Sequence, residues 1–256
     1  MENKQEENNQ IIEEENIEEE KEFFSKENEM IGIVDLLKQS WNIYKENFSK
    51  LILVILFPSL VSFVIAAVGI LFLTGLTVSV PENISYSDFP WGSFSLIFLT
   101  TIVPVIIVQS VGYLALIFAI KDRDKNLGLT QIYSTAFSKI IPYWWTSLIV
   151  AIIVSLGSLA LIIPGLIFLV WYGFAPLISI IEDKRGWEAL KTSKHYVSGR
   201  VLKIAIRMVL LLIIAIVISF VSEEIAGGLG SQIASFITAP FFMAYYFLLY
   251  KDIKRS

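Results

Sequence analysis

Of 256 residues, 55% are hydrophobic and 17% charged, and a mean hydropathy of +0.67 is higher than a water-soluble domain carries. The net charge of −4 conceals an uneven distribution: residues 1–30 hold 12 Glu and 3 Lys, and the rest holds 17 Lys and Arg against 12 Asp and Glu. No clustered basic face calls for nucleic acid, and a chain without cysteine has no disulfide, thiolate metal site or thiol nucleophile.

Residues 1–30, with Glu13-Glu14-Glu15 and Glu18-Glu19-Glu20, repel one another and carry little apolar surface to bury, so they read as a disordered acidic cytoplasmic tail. A polar, acidic start lacks the basic and apolar regions of a cleaved leader, so the first span is expected to stay in the mature protein. Residues 31–256 then read as one membrane domain. Its long charge-free stretches are bounded by Lys50 and Glu82, Asp88 and Lys121, Lys139 and Glu182, Arg207 and Glu223, and Glu224 and Lys251. A helix needs about 20 residues to cross the hydrocarbon core, so the first two stretches predict spans at about 51–76 and 94–119. The third is long enough for two, and Ile163-Pro164-Gly165 near its middle predicts a hairpin with arms at 143–162 and 166–182. The fourth is short, so its span begins before Arg207, whose side chain is expected to snorkel toward the headgroups; it is placed at 203–222. The sixth span follows at 231–250.

Positive charge sets the orientation. All 20 Lys and Arg fall in the tail and the segment after it, the loop around Lys121, Arg123 and Lys125 and its continuation to Lys139, the stretch from Lys184 to Arg207, and Lys251 to Arg255. The opposite side keeps only Pro81 to Gly92 with Glu82 and Asp88, the Pro164-Gly165 turn, and Glu223-Glu224. Retention of basic residues inside predicts a multi-pass protein of the cell membrane with both termini cytoplasmic.

Each odd-numbered span is preceded by a segment opening with glycine: Gly32-Ile-Val-Asp-Leu-Leu, Gly128-Leu-Thr-Gln-Ile-Tyr and Gly186-Trp-Glu-Ala-Leu-Lys. Aligned without gaps, they place Ile33, Leu129 and Trp187 one residue after the glycine, Leu36, Ile132 and Leu190 four after it, and the rings Trp41, Phe137 and His195 nine after it. In the first, Val34, Leu37, Trp41, Tyr44 and Phe48 recur at helical spacing, which predicts an amphipathic helix at the membrane interface. The fold class expected is therefore all-α: a polytopic bundle of six transmembrane helices, built as three copies of interfacial helix plus hairpin.

A family resemblance rests on Asp35-Leu-Leu-Lys-Gln-Ser-Trp-Asn-Ile-Tyr-Lys-Glu-Asn-Phe48, on Ile163-Pro-Gly165, and on Glu182-Asp-Lys-Arg-Gly-Trp-Glu-Ala-Leu-Lys-Thr-Ser193. The chain resembles uncharacterised prokaryotic integral membrane proteins related to the membrane domain of glycerophosphoryl diester phosphodiesterases, over roughly residues 31–250. The resemblance implies architecture and no catalytic residue, because in the namesake enzymes the hydrolase is a separate soluble domain for which this sequence has no room.

Chemistry is sparse in the spans. Gln109 and the Ser and Thr residues read as helix-to-helix glue. His195 stands alone without a second His or Cys, so it reads as an interfacial ring and not a metal ligand. Glu223-Glu224 lacks the histidines and arginine of an intramembrane protease and reads as a solvated helix end. Gly227-Gly-Leu-Gly-Ser231 lacks the strand and lysine of a phosphate cradle and reads as an outer turn. Pro58, Pro104, Pro176 and Pro240 bend their spans, as packing or a substrate path would require. The candidate lipid-headgroup contacts are Lys184, Arg185, Trp187, Lys191, Lys194, Arg200 and Lys203. No catalytic, metal or cofactor residue is expected. The reading is a non-enzymatic membrane protein that organises lipids or partner proteins at the cytoplasmic face. Its partners are membrane lipids and a protein met through the acidic tail or the cytoplasmic helices; the alternative is a transporter or lipid-translocating protein.

Overall fold

A computed structural model describes residues 30–78, 90–125 and 127–255. The acidic tail assigned to residues 1–30, apart from Met30, and the turn carrying Glu82 and Asp88 lie outside the described residues. Every regular element among those described is helical: α1 (Ile33–Glu46), α2 (Phe48–Val78), α3 (Trp91–Lys121), a 3-10 turn (Arg123–Lys125), α4 (Leu129–Ser138), α5 (Ile140–Ala160), α6 (Ile162–Tyr172), α7 (Ala175–Ile181), α8 (Trp187–Val197) and α9 (Val201–Arg255). Five helical stretches are long and apolar enough to cross a bilayer: Phe48–Gly75, Trp91–Lys121, Ile140–Leu159, Ile163–Ile181 and Val201–Arg255.

The last of these is two passes in one. A straight helix of 55 residues would be about 80 Å long, against a hydrocarbon core of about 30 Å. Ala226 (φ −135°, ψ 15°) and Gly227 (φ 65°, ψ −163°) leave helical geometry, and the chain doubles back there. The Tyr245 hydroxyl lies 3.5 Å from the Arg207 carbonyl, so the arms 201–225 and 228–255 run antiparallel about Gly227. Only glycine adopts the Gly227 backbone angles without strain.

The α2–α3 hairpin shows the same register logic. Gly112 abuts Pro58, and Gly69 abuts Thr101, so closely that a Cβ at either glycine would collide with its partner. Small residues let backbones approach in this way where lipid supplies no hydrophobic driving force between helices. The second hairpin, α5–α6, reverses earlier than Pro164-Gly165. Its break is Leu161, in extended conformation (φ −163°, ψ 145°), while Pro164 sits in the first turn of α6, where a missing N–H costs nothing. Gly165 instead packs against Ser158 of the preceding arm.

The short helices begin at Ile33, Leu129 and Trp187, with Gly32, Gly128 and Gly186 in the N-cap positions. Each precedes a hairpin, and the residues four after the glycine, Leu36, Ile132 and Leu190, are all buried. Trp41, Phe137 and His195, nine after it, are exposed. All three helices lie at the end of the bundle that carries the lysines and arginines. Short contacts tie this basic end together: Lys139 pairs with Asp183, Lys254 with Glu182, and the Ile31 amide donates to both carboxylate oxygens of Asp252 at 3.1 and 3.2 Å. Both ends of the described chain therefore meet on one side.

Arg207 departs from expectation. It does not snorkel outward: it is 6% exposed, with one terminal nitrogen donating to the Ile31 carbonyl at 2.6 Å and the other 2.9 Å from the Met30 sulfur. The segment preceding α1 crosses over it and takes the place of the headgroup.

Candidate functional site

Proline removes a backbone N–H, so inside a span it leaves the carbonyl four residues earlier without a donor, a costly vacancy in hydrocarbon. Pro58 does this to Val54, and the Tyr133 hydroxyl of α4 donates to that carbonyl at 2.5 Å. Pro240 interrupts the second arm of α9, and the Tyr44 hydroxyl of α1 donates to Ile237 at 3.1 Å, one residue from the deprived carbonyl. Pro176 separates α6 from α7. On either side of the deprived Tyr172 carbonyl, Ser193 of α8 donates to Trp171 at 2.7 Å and Tyr246 donates to Gly173 at 2.6 Å. Each short helix thus places a hydroxyl at a proline-disturbed point of a neighbouring span. Burial pushes the Tyr133 phenol up to about 12, so it stays protonated and able to donate. The bends at Pro58, Pro176 and Pro240 serve as docking points for α4, α8 and α1 respectively.

Between the α2–α3 hairpin and the two arms of α9, with Tyr143 of α5 closing one side, lies a cavity of about 970 Å³. Its wall is mostly apolar. Several hydroxyls on it are already satisfied within their own helices: Ser59 donates to Ile55, Ser110 to Ile106 and Thr238 to Ala234. Ser110 also accepts from the Trp144 indole at 2.9 Å. Gln109 behaves differently from the glue expected of it. Its amide lines the cavity and has no hydrogen-bond partner among the described residues. It lies twelve residues before Lys121, about 18 Å along α3 from the basic end and so near mid-membrane.

At the basic end, Glu182 gathers three elements. Its carboxylate accepts from the Tyr250 hydroxyl at 2.7 Å and the Tyr196 hydroxyl at 3.1 Å, and pairs with Lys254 at 3.0 Å and Lys184 at 3.3 Å. Burial alone would raise its pKa, but the donors from Tyr250, Lys254 and Lys184 outweigh it and hold the carboxyl below the usual glutamate value. Asp183 is likewise held low by the Lys139 ammonium. Little in the local sequence marks Glu182 as a hub, because all its partners but Lys184 come from α8 and the far end of α9; only its place at the end of an apolar stretch is legible.

The candidate headgroup residues divide. Lys184 turns inward to Glu182 and to the Thr192 hydroxyl at 3.1 Å. Arg185, Trp187, Lys191, Lys194 and Lys203 are exposed, Lys194 with its ammonium 4.4 Å from the centre of the Trp171 ring, and Arg200 is half-buried. His195 is exposed beside Tyr196, and Glu223 and Glu224 stand exposed just before the reversal at Gly227. Among the described residues no three His, Asp or Glu side chains gather as a metal site would require.

No family model, curated protein or solved structure matches the chain. The function must be read from the geometry.

Proposed function

We propose that this protein is a non-enzymatic lipid-handling component of the cell membrane, which takes the apolar chain of a lipid into the cavity between its second, third and last two passes. The observation that carries this reading is the cavity itself. Its volume of about 970 Å³ sits at the upper end of the roughly 300–1,000 Å³ typical of small-molecule sites. Its apolar wall suits hydrocarbon, and the unpartnered Gln109 amide suits a ligand with a hydrogen-bonding group such as an ester, since an unpaired amide in lipid is expensive. On this reading the short helices hold the bundle at the interface, and the exposed Trp187, Lys191, Lys194 and Lys203 meet lipid headgroups. The acidic tail and these helices remain the surfaces for a protein partner. Retention of basic residues on the cytoplasmic side puts both termini there. The membrane-domain proteins that the chain resembles would share this architecture and not a chemistry.

The test is lipid retention. Native mass spectrometry of the purified chain should show a lipid that survives detergent exchange, and Ala239→Trp, which fills the cavity from α9, should abolish it while leaving the helical content unchanged. Equal retention by both proteins would overturn the reading. A second reading, translocation of the whole lipid, draws on the Gln109, Ser219 and Ser235 side chains in the same wall. Reconstituted vesicles would show accelerated lipid flipping that Gln109→Leu removes; binding without flipping would leave only the first.

A further inference from the structure

A second cavity, of about 700 Å³, opens at the basic end between the C-terminal ends of α3 and α9, with α1 beside it. Four basic side chains line it, Lys121 from α3 and Lys251, Lys254 and Arg255 from α9, against one carboxylate, Asp252. That carboxylate is 2% exposed, and both its oxygens accept the Ile31 amide. Lys254 is shared with Glu182, but Lys121, Lys251 and Arg255 form no ion pair with a carboxylate among the described residues. Two of the ammonium groups are braced by rings of their own helices: Lys121 lies 5.6 Å from the centre of Phe118, and Lys251 lies 5.6 Å from that of Phe247. Retention of positive charge inside accounts for basic residues on this face. It does not account for three of them sharing one concavity with no ion pair to a carboxylate among the described residues.

We infer that this cavity is a binding site for a phosphate group, carried either by an anionic lipid headgroup or by a soluble phosphate ester. Phosphate oxygens accept several charge-assisted hydrogen bonds at once, and lysine ammoniums supply them as point charges. Basic pockets between membrane helices at the cytoplasmic side hold phosphorylated headgroups by this chemistry. The inference stands apart from the lipid-chain cavity: the two spaces lie at different depths along α9, with Tyr246 in the wall of one and Phe247 to Arg255 in the wall of the other.

The experiment uses the full chain in nanodiscs. In one arm the lipid is phosphatidylcholine alone, and inorganic phosphate and glycerol phosphate are titrated in by calorimetry. In the other the discs contain phosphatidylglycerol, and its retention is followed by native mass spectrometry. Saturable binding is expected in at least one arm, and the arm that shows it identifies the source. At about fivefold per lost charge, Lys121→Gln with Lys251→Gln should weaken that binding roughly 25-fold. A charge-matched control, Lys38→Gln with Lys45→Gln on exposed positions of α1, should leave it unchanged. Arg255→Gln, at the exposed last turn of α9, gives an independent fivefold loss should the double variant fail to fold. Absence of saturable binding in both arms, or equal weakening by the α1 control, would overturn the inference.

Discussion

The two halves of this bundle are held together differently. Toward the basic end, Leu114 to Ile120, most of Phe174 to Ile180 and much of Met243 to Ile253 are buried, and Leu36, Ile132 and Leu190 of the short helices close over them. In the far half the same kinds of residue face outward: Leu159 is 83% exposed, Ile225 79%, and Phe63 and Leu71 72%. Composition does not distinguish the halves. The difference is that the basic half has three added helices, each fastened by a hydroxyl to a span disturbed by proline, while the far half has no such helix among the described residues. The comparison teaches that apolar residues alone do not compact a membrane protein, since lipid solvates them as well as neighbours do; directed hydrogen bonds and close backbone approaches decide where packing occurs.

The sharpest way to break the comparison is to truncate one leucine in each half. Leu114→Ala leaves a void in a site with no exposure and should destabilise the chain by about 2 kcal/mol or more. Leu60→Ala, on a span surface 55% exposed, should stay within about 0.5 kcal/mol because lipid fills the gap. Thermal unfolding in one detergent measures both, and equal losses would show that the halves are alike. Gly227→Val comes next. Space around the glycine is open, so the cost is backbone strain alone, about 1–3 kcal/mol at φ 65°, ψ −163°. The loss should appear as weakened protection of the two arms of α9 in hydrogen exchange, and undisturbed protection would contradict the strain at the reversal.

Much of this architecture is legible before any coordinates. The six passes follow from charge-free stretches, because a charge in hydrocarbon is costly wherever it falls. The starts of the short helices follow from Gly32, Gly128 and Gly186, because a glycine before a helical period is local information. The turn at Leu161 was not legible from Pro164-Gly165, since proline is equally at home in the first turn of the next helix. Nor was the burial of Arg207, which depends on the segment at Ile31, 176 residues away. The docking of Tyr133 on Val54 spans 79 residues and leaves no periodic trace. At the candidate sites, the exposed lysines of α8 could be read from the sequence. The cavity at Gln109 could not, because it exists only where three separate parts of the chain fail to meet.

Removing one fastening should sharpen the contrast further. Tyr133→Phe keeps the ring but withdraws the donor from Val54, so about 1 kcal/mol should be lost. Hydrogen exchange should then rise in α4 and around Pro58 while the far half stays unchanged. Tyr172→Phe, which alters a tyrosine with no hydroxyl contact to a proline-deprived carbonyl, is the matched control.

The smallest effect expected is the acid response of Glu182. Its carboxyl titrates lower in the folded chain than in the unfolded one, because Tyr250, Lys254 and Lys184 favour the charged form more than burial opposes it. A depressed folded pKa means that the unfolded state takes up the proton first. The stabilisation is therefore fully present above the ordinary glutamate value of about 4.5 and is lost as pH falls through the folded value. Glu182→Gln removes this titration, since an amide neither gains nor loses a proton. The unfolding midpoint of the native chain should exceed that of Glu182→Gln at neutral pH, and the gap should close below about pH 4.5. Asp183 titrates nearby in both proteins, so only the difference between them reports on Glu182. Parallel curves through the acid range would mean that Glu182 fastens α8 to the end of α9 by shape and not by charge.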